Sequence, residues 1–321
     1  MTKTVSQPLF ETVAFIGMGL IGSSMARRIK RDGLANKITC AVRSDATRDR
    51  VLELGLADEA YCDIKDAVGD ADLVMVCAPV GANQTIGVQL GGALKKGAIV
   101  SDVGSVKQSV IRDIAPHLDE GVHFVPGHPL AGTEHSGPDS GFPELFEERW
   151  CILTPVPGES EEATAKVRAL WEACGMYVEC MDADHHDRIL GITSHLPHLI
   201  AYTIVGTATD LEDALRQEVI KFSASGFRDF TRIAASDPTM WRDVFLNNRE
   251  AVLDVLGRFQ EDLMALQRAI RWGEGDKLFE LFSRTREIRR GIVDAGQYFA
   301  NFSAEGEDRQ SDEKSKKKPI E

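Results

Sequence analysis

The chain has 321 residues, 43% of them hydrophobic and 27% charged, and its formal net charge is −13. This length allows two domains or one large one, and the composition is that of an ordinary globular protein. Nucleic acids and anionic membranes repel an acidic protein, which excludes both as general partners, whereas an anionic small substrate needs only a local basic pocket.

The six cysteines form no Cys-x-x-Cys pair and no spacing typical of metal ligands. Several lie in apolar, strand-like runs, where cysteine behaves as a small hydrophobic residue. No charged-then-apolar signal opens the chain, and no apolar stretch approaches the roughly 20 residues that span a bilayer. We therefore expect a cytoplasmic protein without a bound metal or a membrane partner.

Short β-rich runs alternate with helical patterns through the first half of the chain. A helix is predicted at about 21–31, after the first run. This alternation predicts right-handed βαβ units and a doubly wound parallel sheet, which is a Rossmann-type α/β domain over residues 1–182. The predicted strands are residues 12–16, 38–42, 73–78, 98–103, 122–125 and 150–154.

After about Asp182 the strand-like runs end and helical periodicity begins. Apolar residues recur at three- and four-residue steps across 252–270 and 278–288, which predicts an all-helical domain over 183–302. Its apolar stripes exceed what one short bundle buries internally, and this favours a homodimer. The polar segment 303–321 is predicted to be a disordered tail.

A three-glycine signature follows the first predicted strand and opens a helix. The glycines allow a tight turn (Gly17), close approach of a pyrophosphate (Gly19) and packing of the helix on the strand (Gly22). Free N–H groups at the helix N-terminus, near Leu20 and Ile21, favour the phosphates. The pattern predicts a bound NAD or NADP, and a glycine turn without cofactor is the alternative. The signature reads Gly17-Met18-Gly19-Leu20-Ile21-Gly22.

The end of the second strand normally selects between NAD and NADP. An acid there binds the ribose hydroxyls, whereas arginine with serine or threonine accommodates a 2′-phosphate. Here the strand is followed by Arg43, Ser44 and Asp45. Arg43 and Ser44 favour NADP slightly, while an inward-turned Asp45 would favour NAD.

Two further turns are predicted at the carboxyl ends of strands, where ligands bind in doubly wound sheets. Ala78 and Pro79 follow one strand, and Ser105 and Lys107 follow the next. We consider Ala78 and Pro79 cofactor contacts. Ser105 and Lys107 are candidate site residues, with ordinary turn and cap chemistry as the alternative.

The segment beginning at His128 places an imidazole on a loop shaped by glycine and proline, among hydroxyl and carboxylate neighbours. Imidazole suits proton transfer because its usual pKa lies near working pH and either ring nitrogen can serve. A histidine that only packs within the loop is the alternative interpretation.

Together these motifs resemble the prephenate/arogenate (cyclohexadienyl) dehydrogenase family of tyrosine biosynthesis. The resemblance covers nearly the whole chain apart from the first residues and the tail. It implies NAD(P)-dependent oxidative decarboxylation of prephenate to 4-hydroxyphenylpyruvate, or of arogenate to tyrosine. The matching segments, in order, are 17–22, 102–107, 128–137, 194–198, 230–234 and 237–241.

The resemblance also implies roles for individual residues. His128 matches the catalytic histidine that bonds to the substrate's C4 hydroxyl, and Ser105 matches the serine that orients this histidine. Arg232 matches an arginine whose guanidinium binds a substrate carboxylate, with a surface ion pair as the alternative. The remaining substrate-pocket candidates are Thr133, Ser194, His198, Asp229 and Trp241.

Several neighbouring features have competing interpretations. Trp241 could be a pocket wall or ordinary core, and Pro197 could kink the helix that carries Ser194 and His198. His195 and His198 lack a third ligand at helical spacing, so no metal is expected. The segment His185-His186-Asp187 is interpreted as a polar linker.

Two other functions fit parts of the pattern. One is a β-hydroxyacid dehydrogenase, which would use a lysine on the second domain as its acid/base. The other is a dinucleotide-sensing dimer without catalysis. The preference for prephenate or arogenate stays open, as does the preference for NAD or NADP.

Overall fold

The structure is a computed structural model that describes residues 7–133, 135–210 and 225–294. The predicted tail lies outside these residues. Contacts divide the chain into two compact units, Met1–Leu256 and Gly257–Glu321. The helices and strands that form the site all belong to the first unit.

The main sheet has six parallel strands in the order β3-β2-β1-β4-β5-β6. This is the Rossmann order, in which the chain direction across the sheet reverses between β1 and β4, and it confirms the predicted fold class. The sequence analysis missed β3. The strands are β1 Phe10–Ile16, β2 Ala35–Ala41, β3 Glu59–Tyr61, β4 Leu73–Val76, β5 Ile99–Asp102 and β6 His123–Phe124.

Strand β1 supplies side chains to two separate hydrophobic cores, one on each face of the sheet. Val13 and Phe15 belong to the core that also contains Trp171. Ala14 and Ile16 belong to the other. Alternate side chains of a strand point to opposite faces, so an apolar run without alternation is the sign of a sheet covered on both sides.

Five helices connect the strands of the main sheet and cover its faces. They are α1 Leu20–Asp32, α2 Asp45–Glu53, α3 Ile64–Val68, α4 Asn83–Leu90 and α5 Lys107–Ile114. Helix α1 begins and ends within one residue of the predicted helix.

A second sheet of three strands follows. It consists of β7 Gly127–Pro129, β8 Trp150–Leu153 and β9 Tyr177–Cys180, with α6 Glu161–Ala173 between the last two. Strand β7 pairs antiparallel to β8, and His128 lies opposite Ile152. The expectation that His128 lies on a loop is therefore wrong, because backbone pairing holds it in a strand.

After Cys180 the described residues form helices and no strand, as predicted. The segment His185-His186-Asp187 lies inside a helix, so its interpretation as a polar linker is wrong. The elements are α7 Ala183–Leu190, a π-helical turn Gly191–His195, α8 Leu196–Thr209, α9 Ser225–Thr231, α10 Pro238–Asn247, α11 Arg249–Trp272 and α12 Gly275–Asp294.

Pro197 lies in the first turn of α8. The helical stretch is continuous through this point, and the π-helical turn just before α8 is where the helix adjusts to a residue that has no backbone N–H. The irregularity that the sequence analysis assigned to Pro197 lies just before it, in the π-helical turn.

The helical stretch Ala183–Thr209 has 27 residues and a mean hydropathy of 1.3 in its most apolar window. By length and composition it could cross a membrane, which corrects the expectation that no stretch approaches that length. Only 28% of the window is buried within the chain. The buried residues of the whole stretch include His186, Asp187 and His195, and these polar groups belong to the site described below.

Candidate active site

The three-glycine turn has the geometry that a dinucleotide needs. Gly17 has a φ of +92°, and a Cβ there would lie 2.9 Å from the carbonyl oxygen of Cys77. A Cβ on Gly22 would lie 2.8 Å from the Gly17 oxygen, whereas one on Gly19 would meet nothing within 4 Å. The space beside Gly19 is where a pyrophosphate can approach the backbone.

Helix α1 begins at this turn without a side-chain cap and without an acidic residue in its first turn. The first N–H groups of a helix have no partner within it, so those of Leu20 and Ile21 are available to an anion. The turn and the helix end therefore fit a dinucleotide.

The residues after β2 differ in how far they are already engaged. The exposed Arg43 makes no hydrogen bond or ion pair in the described structure. Ser44 caps α2, since its Oγ accepts the Thr47 N–H at 3.2 Å. Asp45 pairs with Arg48 at 2.5 Å. Ser44 and Asp45 thus have local structural roles, while Arg43 does not.

On the opposite side of the turn, Ala78 and Pro79 follow β4. A Cβ on Gly17 would lie 3.2 Å from the Ala78 backbone nitrogen. Ala78 is half-buried and Pro79 is exposed. Ala78 therefore lies beside the glycine turn and Pro79 follows it in the chain, while their assignment as cofactor contacts stays a prediction.

His128 is buried at the start of the second sheet, 8% exposed. Its Nδ1 lies 2.8 Å from Nε2 of His186. Nδ1 of His186 lies 2.8 Å from Oδ1 of Asp187. No described hydrogen bond engages Nε2 of His128, so this nitrogen is the one available to a substrate.

The Asp187 carboxylate also holds the first turn of α5. Oδ1 accepts the backbone N–H of Lys107 at 2.7 Å, and Oδ2 accepts that of Gln108 at 2.9 Å. The N-cap residue Val106 offers no capping side chain. A carboxylate from the helical part of the chain thus caps a helix of the Rossmann sheet.

Lys107 joins three elements through a fully buried side chain. Its Nζ lies 2.5 Å from Oδ2 of Asp102 and donates to the carbonyl of Gly127 at 2.6 Å. Asp102 also accepts the N–H groups of Gly104 at 2.7 Å and Gly127 at 3.1 Å. Burial lowers the pKa of Lys107 and raises that of Asp102, and their pairing opposes both shifts.

Burial also keeps the histidines of the site neutral. It is the main cause that lowers the pKa of His128 well below its usual value, and the charges of His186, Lys107 and His195 lower it further. Burial lowers the pKa of His186 as well, although Asp187 opposes this shift. A neutral imidazole keeps one bare nitrogen that can accept a proton.

His198 stacks on Trp241, with ring centroids 3.7 Å apart and 24° between the planes. Its Nδ1 donates to the Ser194 carbonyl at 2.9 Å. Its pKa is lowered by burial and also by the charge of Arg232, which places Arg232 within electrostatic reach. Trp241 packs in a hydrophobic core as well, so it is both core and pocket wall.

His195 is fully buried beside Trp241. Its Nδ1 lies 3.0 Å from Nδ2 of Asn248, which also donates to the Asp187 carbonyl at 2.8 Å. Its Nε2 is buried without a hydrogen-bond partner among the described residues. Burial lowers the pKa of His195 to about 4, so the ring is neutral at neutral pH. Because the Asn248 amide donates to Nδ1, the ring proton lies on Nε2.

Three other candidates have no described hydrogen bond to this cluster. Ser105 is half-buried between β5 and α5, and the described structure gives its hydroxyl no hydrogen bond to His128. Thr133 is exposed and its Oγ1 accepts the His135 N–H at 3.3 Å. Asp229 is exposed and lies 3.5 Å from Arg228. Within the described ranges, no cluster of three or more His, Cys, Asp or Glu residues could hold a metal.

Sequence reasoning missed His186, Asp187 and Asn248. The adjacent His186 and Asp187 occupy one turn of a strongly amphipathic helix and are both buried. Apolar residues at 189 and 190 were the available sign that this segment continues a helix into the core.

Comparison with known proteins identifies the two parts of the chain. Residues 25–180 match the model for the prephenate dehydrogenase nucleotide-binding domain, and residues 182–284 match the model for its dimerization domain. The cyclohexadienyl dehydrogenase of Zymomonas mobilis is 43% identical over 284 residues, which cover 88% of this chain and 97% of that protein.

Two solved structures share this architecture. Prephenate dehydrogenase from A. aeolicus, in complex with hydroxyphenyl propionate and NAD+, is 33% identical with a TM-score of 0.82 over 90% of this chain and 100% of that one. Synechocystis arogenate dehydrogenase is 26% identical with a TM-score of 0.74 over 88% and 99% of the two chains.

We predict that Lys107→Met destabilises the protein by about 3–5 kcal/mol, because it leaves the Asp102 carboxylate buried without its counter-ion. Chemical denaturation measures this change. Lys95→Met provides a matched control, since it removes a lysine from the partly exposed pair with Asp72, and it should cost about 1 kcal/mol or less.

The double variant Asp102→Asn/Lys107→Met removes both charges. It should recover part of the lost free energy of unfolding. A double variant less stable than Lys107→Met alone would contradict the role of the ion pair.

Proposed function

The chain belongs to the prephenate dehydrogenase family, and we propose that the residues described above carry out the NAD(P)-dependent oxidative decarboxylation of prephenate or arogenate. The observation that carries the proposal is the buried, neutral His128 with an unengaged Nε2. The first residue of β7, Gly127, donates its N–H to the Asp102 carboxylate at the carboxyl end of β5. The glycine turn lies at the same edge of the main sheet.

The reaction converts the C4 alcohol of the ring into a carbonyl and then into a phenol. A dinucleotide held at the glycine turn would supply the acceptor for the hydride that leaves C4. His128 Nε2 accepts the hydroxyl proton. The ring carboxylate then leaves as CO2, its bonding electrons enter the ring, and the former carbonyl oxygen takes a proton to complete the aromatic product.

A buried, neutral histidine suits the proton-accepting step. Because burial lowers its pKa, the His128 ring is neutral at neutral pH and one of its two nitrogens holds a lone pair. Burial also limits the access of water to the place where the hydride is transferred. Ser105 lies near the same strand end, and we assign it to the substrate hydroxyl.

The group around His198 is assigned to the rest of the substrate. Arg232 is the charged partner for a carboxylate, because a guanidinium fork matches its geometry. His198 and Trp241 form a flat wall for the ring. The buried Nε2–H of His195 is a further donor. We also assign Ser194, Thr133 and Asp229 to the substrate-binding pocket.

The function is tested by steady-state kinetics with prephenate and arogenate, each with NAD and NADP. We expect reduction of the dinucleotide with at least one of these substrates, and none with 3-hydroxy acids. His128→Asn should lower kcat about 100-fold or more, the usual scale for loss of a general base, while dinucleotide binding is kept. Turnover of 3-hydroxy acids alone would overturn the proposal.

We further propose that the chain accepts NADP, with Arg43 beside the 2′-phosphate. The proposal is supported by the absence of described partners for Arg43 and of an acid directly after β2. Arg43→Asp should raise KM for NADP at least tenfold and lower that for NAD, since an acid repels a 2′-phosphate and binds ribose hydroxyls. Arg48→Asp is the matched control on α2. Unchanged cofactor kinetics in Arg43→Asp would remove the assignment.

We also propose a cytoplasmic homodimer whose second domain begins near residue 182, where the two family models meet. The second compact unit of each chain, Gly257–Glu321, carries exposed apolar side chains that the partner chain would cover, among them Met264, Phe279 and Phe282.

Sedimentation should therefore give twice the 35.2 kDa chain mass. Phe279→Glu/Phe282→Glu should yield monomers, because the substitutions would bury charge in an apolar interface. Glu280→Gln on the same helix is a control. A monomeric unmodified chain at working concentration would contradict the dimer.

A further inference from the structure

We propose that His186 and Asp187 are positioning residues that hold His128 in its Nδ1–H tautomer and so leave Nε2 bare for the substrate proton. This inference rests on the proposed function for the identity of that proton. The arrangement itself stands on two buried hydrogen bonds of 2.8 Å each.

The direction of the hydrogen bonds is set at the Asp187 end. Its carboxylate already accepts two backbone N–H groups, from Lys107 and Gln108, and an ionised carboxylate only accepts. The N-terminal end of α5 also favours the negative charge. Nδ1 of His186 must therefore carry the proton that it shares with Asp187.

The proton on Nδ1 of His186 also fixes the direction of the hydrogen bond between the two rings. A neutral His186 that is protonated on Nδ1 has a bare Nε2. That nitrogen lies 2.8 Å from Nδ1 of His128, so Nδ1 of His128 must be the donor. A neutral His128 then has its lone pair on Nε2, which no described group engages.

Other charged and titratable groups around the rings do not reverse this direction. The Lys107 ammonium is paired with Asp102 and with a carbonyl. His195 is directed elsewhere, since its Nδ1 contacts Asn248. The charge of Lys107 opposes protonation of both His128 and His186. The chain of hydrogen bonds therefore runs from His128 through His186 to Asp187.

This arrangement resembles the way a carboxylate orients the histidine of a hydrolase triad, with a second imidazole inserted between the two. In such sites the wrong tautomer cannot accept the proton, and loss of the orienting group lowers kcat strongly. Here His186 lies between the Asp187 carboxylate and His128 and hydrogen-bonds to both. When His128 accepts the proton, the positive charge faces a neutral acceptor that is itself bonded to an anion.

The first measurement is the tautomer of His128 in the unliganded protein. Nitrogen-15 NMR of the histidine-labelled full chain distinguishes a protonated from a bare ring nitrogen, and His128→Asn identifies the signals of His128. We expect a protonated Nδ1 and a bare Nε2. The opposite tautomer would overturn the proposal, while the proposed function is decided separately by turnover of prephenate or arogenate.

The second measurement compares two substitutions of His186. Glutamine can place an acceptor oxygen near the position of Nε2, whereas asparagine is too short. His186→Asn should lower kcat about 100-fold with little change in KM, and His128 should then populate both tautomers. His186→Gln should recover kcat to within about tenfold of the unmodified enzyme and keep the Nδ1–H tautomer.

The neighbouring exposed residue gives the matched control, His185→Gln, which should leave kcat unchanged. Dinucleotide binding and thermal unfolding show that each variant is folded. Equal loss of kcat in the Gln and Asn variants, or retention of kcat in His186→Asn, would overturn the assignment. If the unmodified chain oxidises neither substrate, the proposed function fails, while the NMR result still decides the tautomer.

Discussion

The site depends on one buried lysine. Lys107 begins α5, its ammonium binds Asp102 at the end of β5 and the Gly127 carbonyl at the start of β7, and its backbone N–H binds Asp187 on α7. Removing an ammonium from water costs several kcal/mol unless strong partners replace the solvent. Since these partners come from three elements, β5, β7 and α7, the contacts that make the burial of Lys107 possible also place His128 beside the helical part of the chain.

The local features of the nucleotide site were predictable because nearby residues encode them. Glycine is required at positions 17 and 22 because a Cβ at either one would lie less than 3 Å from a backbone oxygen. The apolar run of β1 supplies side chains to both cores. Strands of two or three residues, such as β3 and β7, were harder because they contain too few side chains to show a period. His128 was therefore recognised by its motif, but its strand was not.

The partners of His128 were not predictable from local pattern. His186 lies 58 positions farther along the chain, on a helix that contacts α5 through Asp184 and Asp187. A polar triplet such as His185-His186-Asp187 is usually exposed. Only one of its two histidines is exposed here, and tertiary contacts decide which one. Trp241 shows the same effect, because its core packing and its stacking on His198 occur together.

The π-helical turn Gly191–His195 gives this domain an unusual dependence on chain length. Its last hydrogen bond joins the Leu196 N–H to the Gly191 carbonyl, so the turn holds one residue more than an α-helical turn. Deleting one residue within the turn would leave a regular α-helical turn and keep α8 in phase with α7. Deleting one residue elsewhere between His186 and His198 would rotate His198 by about 100° relative to His186 and shorten the helix by about 1.5 Å, which would turn His198 away from Trp241. The turn can therefore lose one residue at the exposed Ile192 or Thr193, whereas the same deletion in the regular helix on either side would separate the two halves of the pocket.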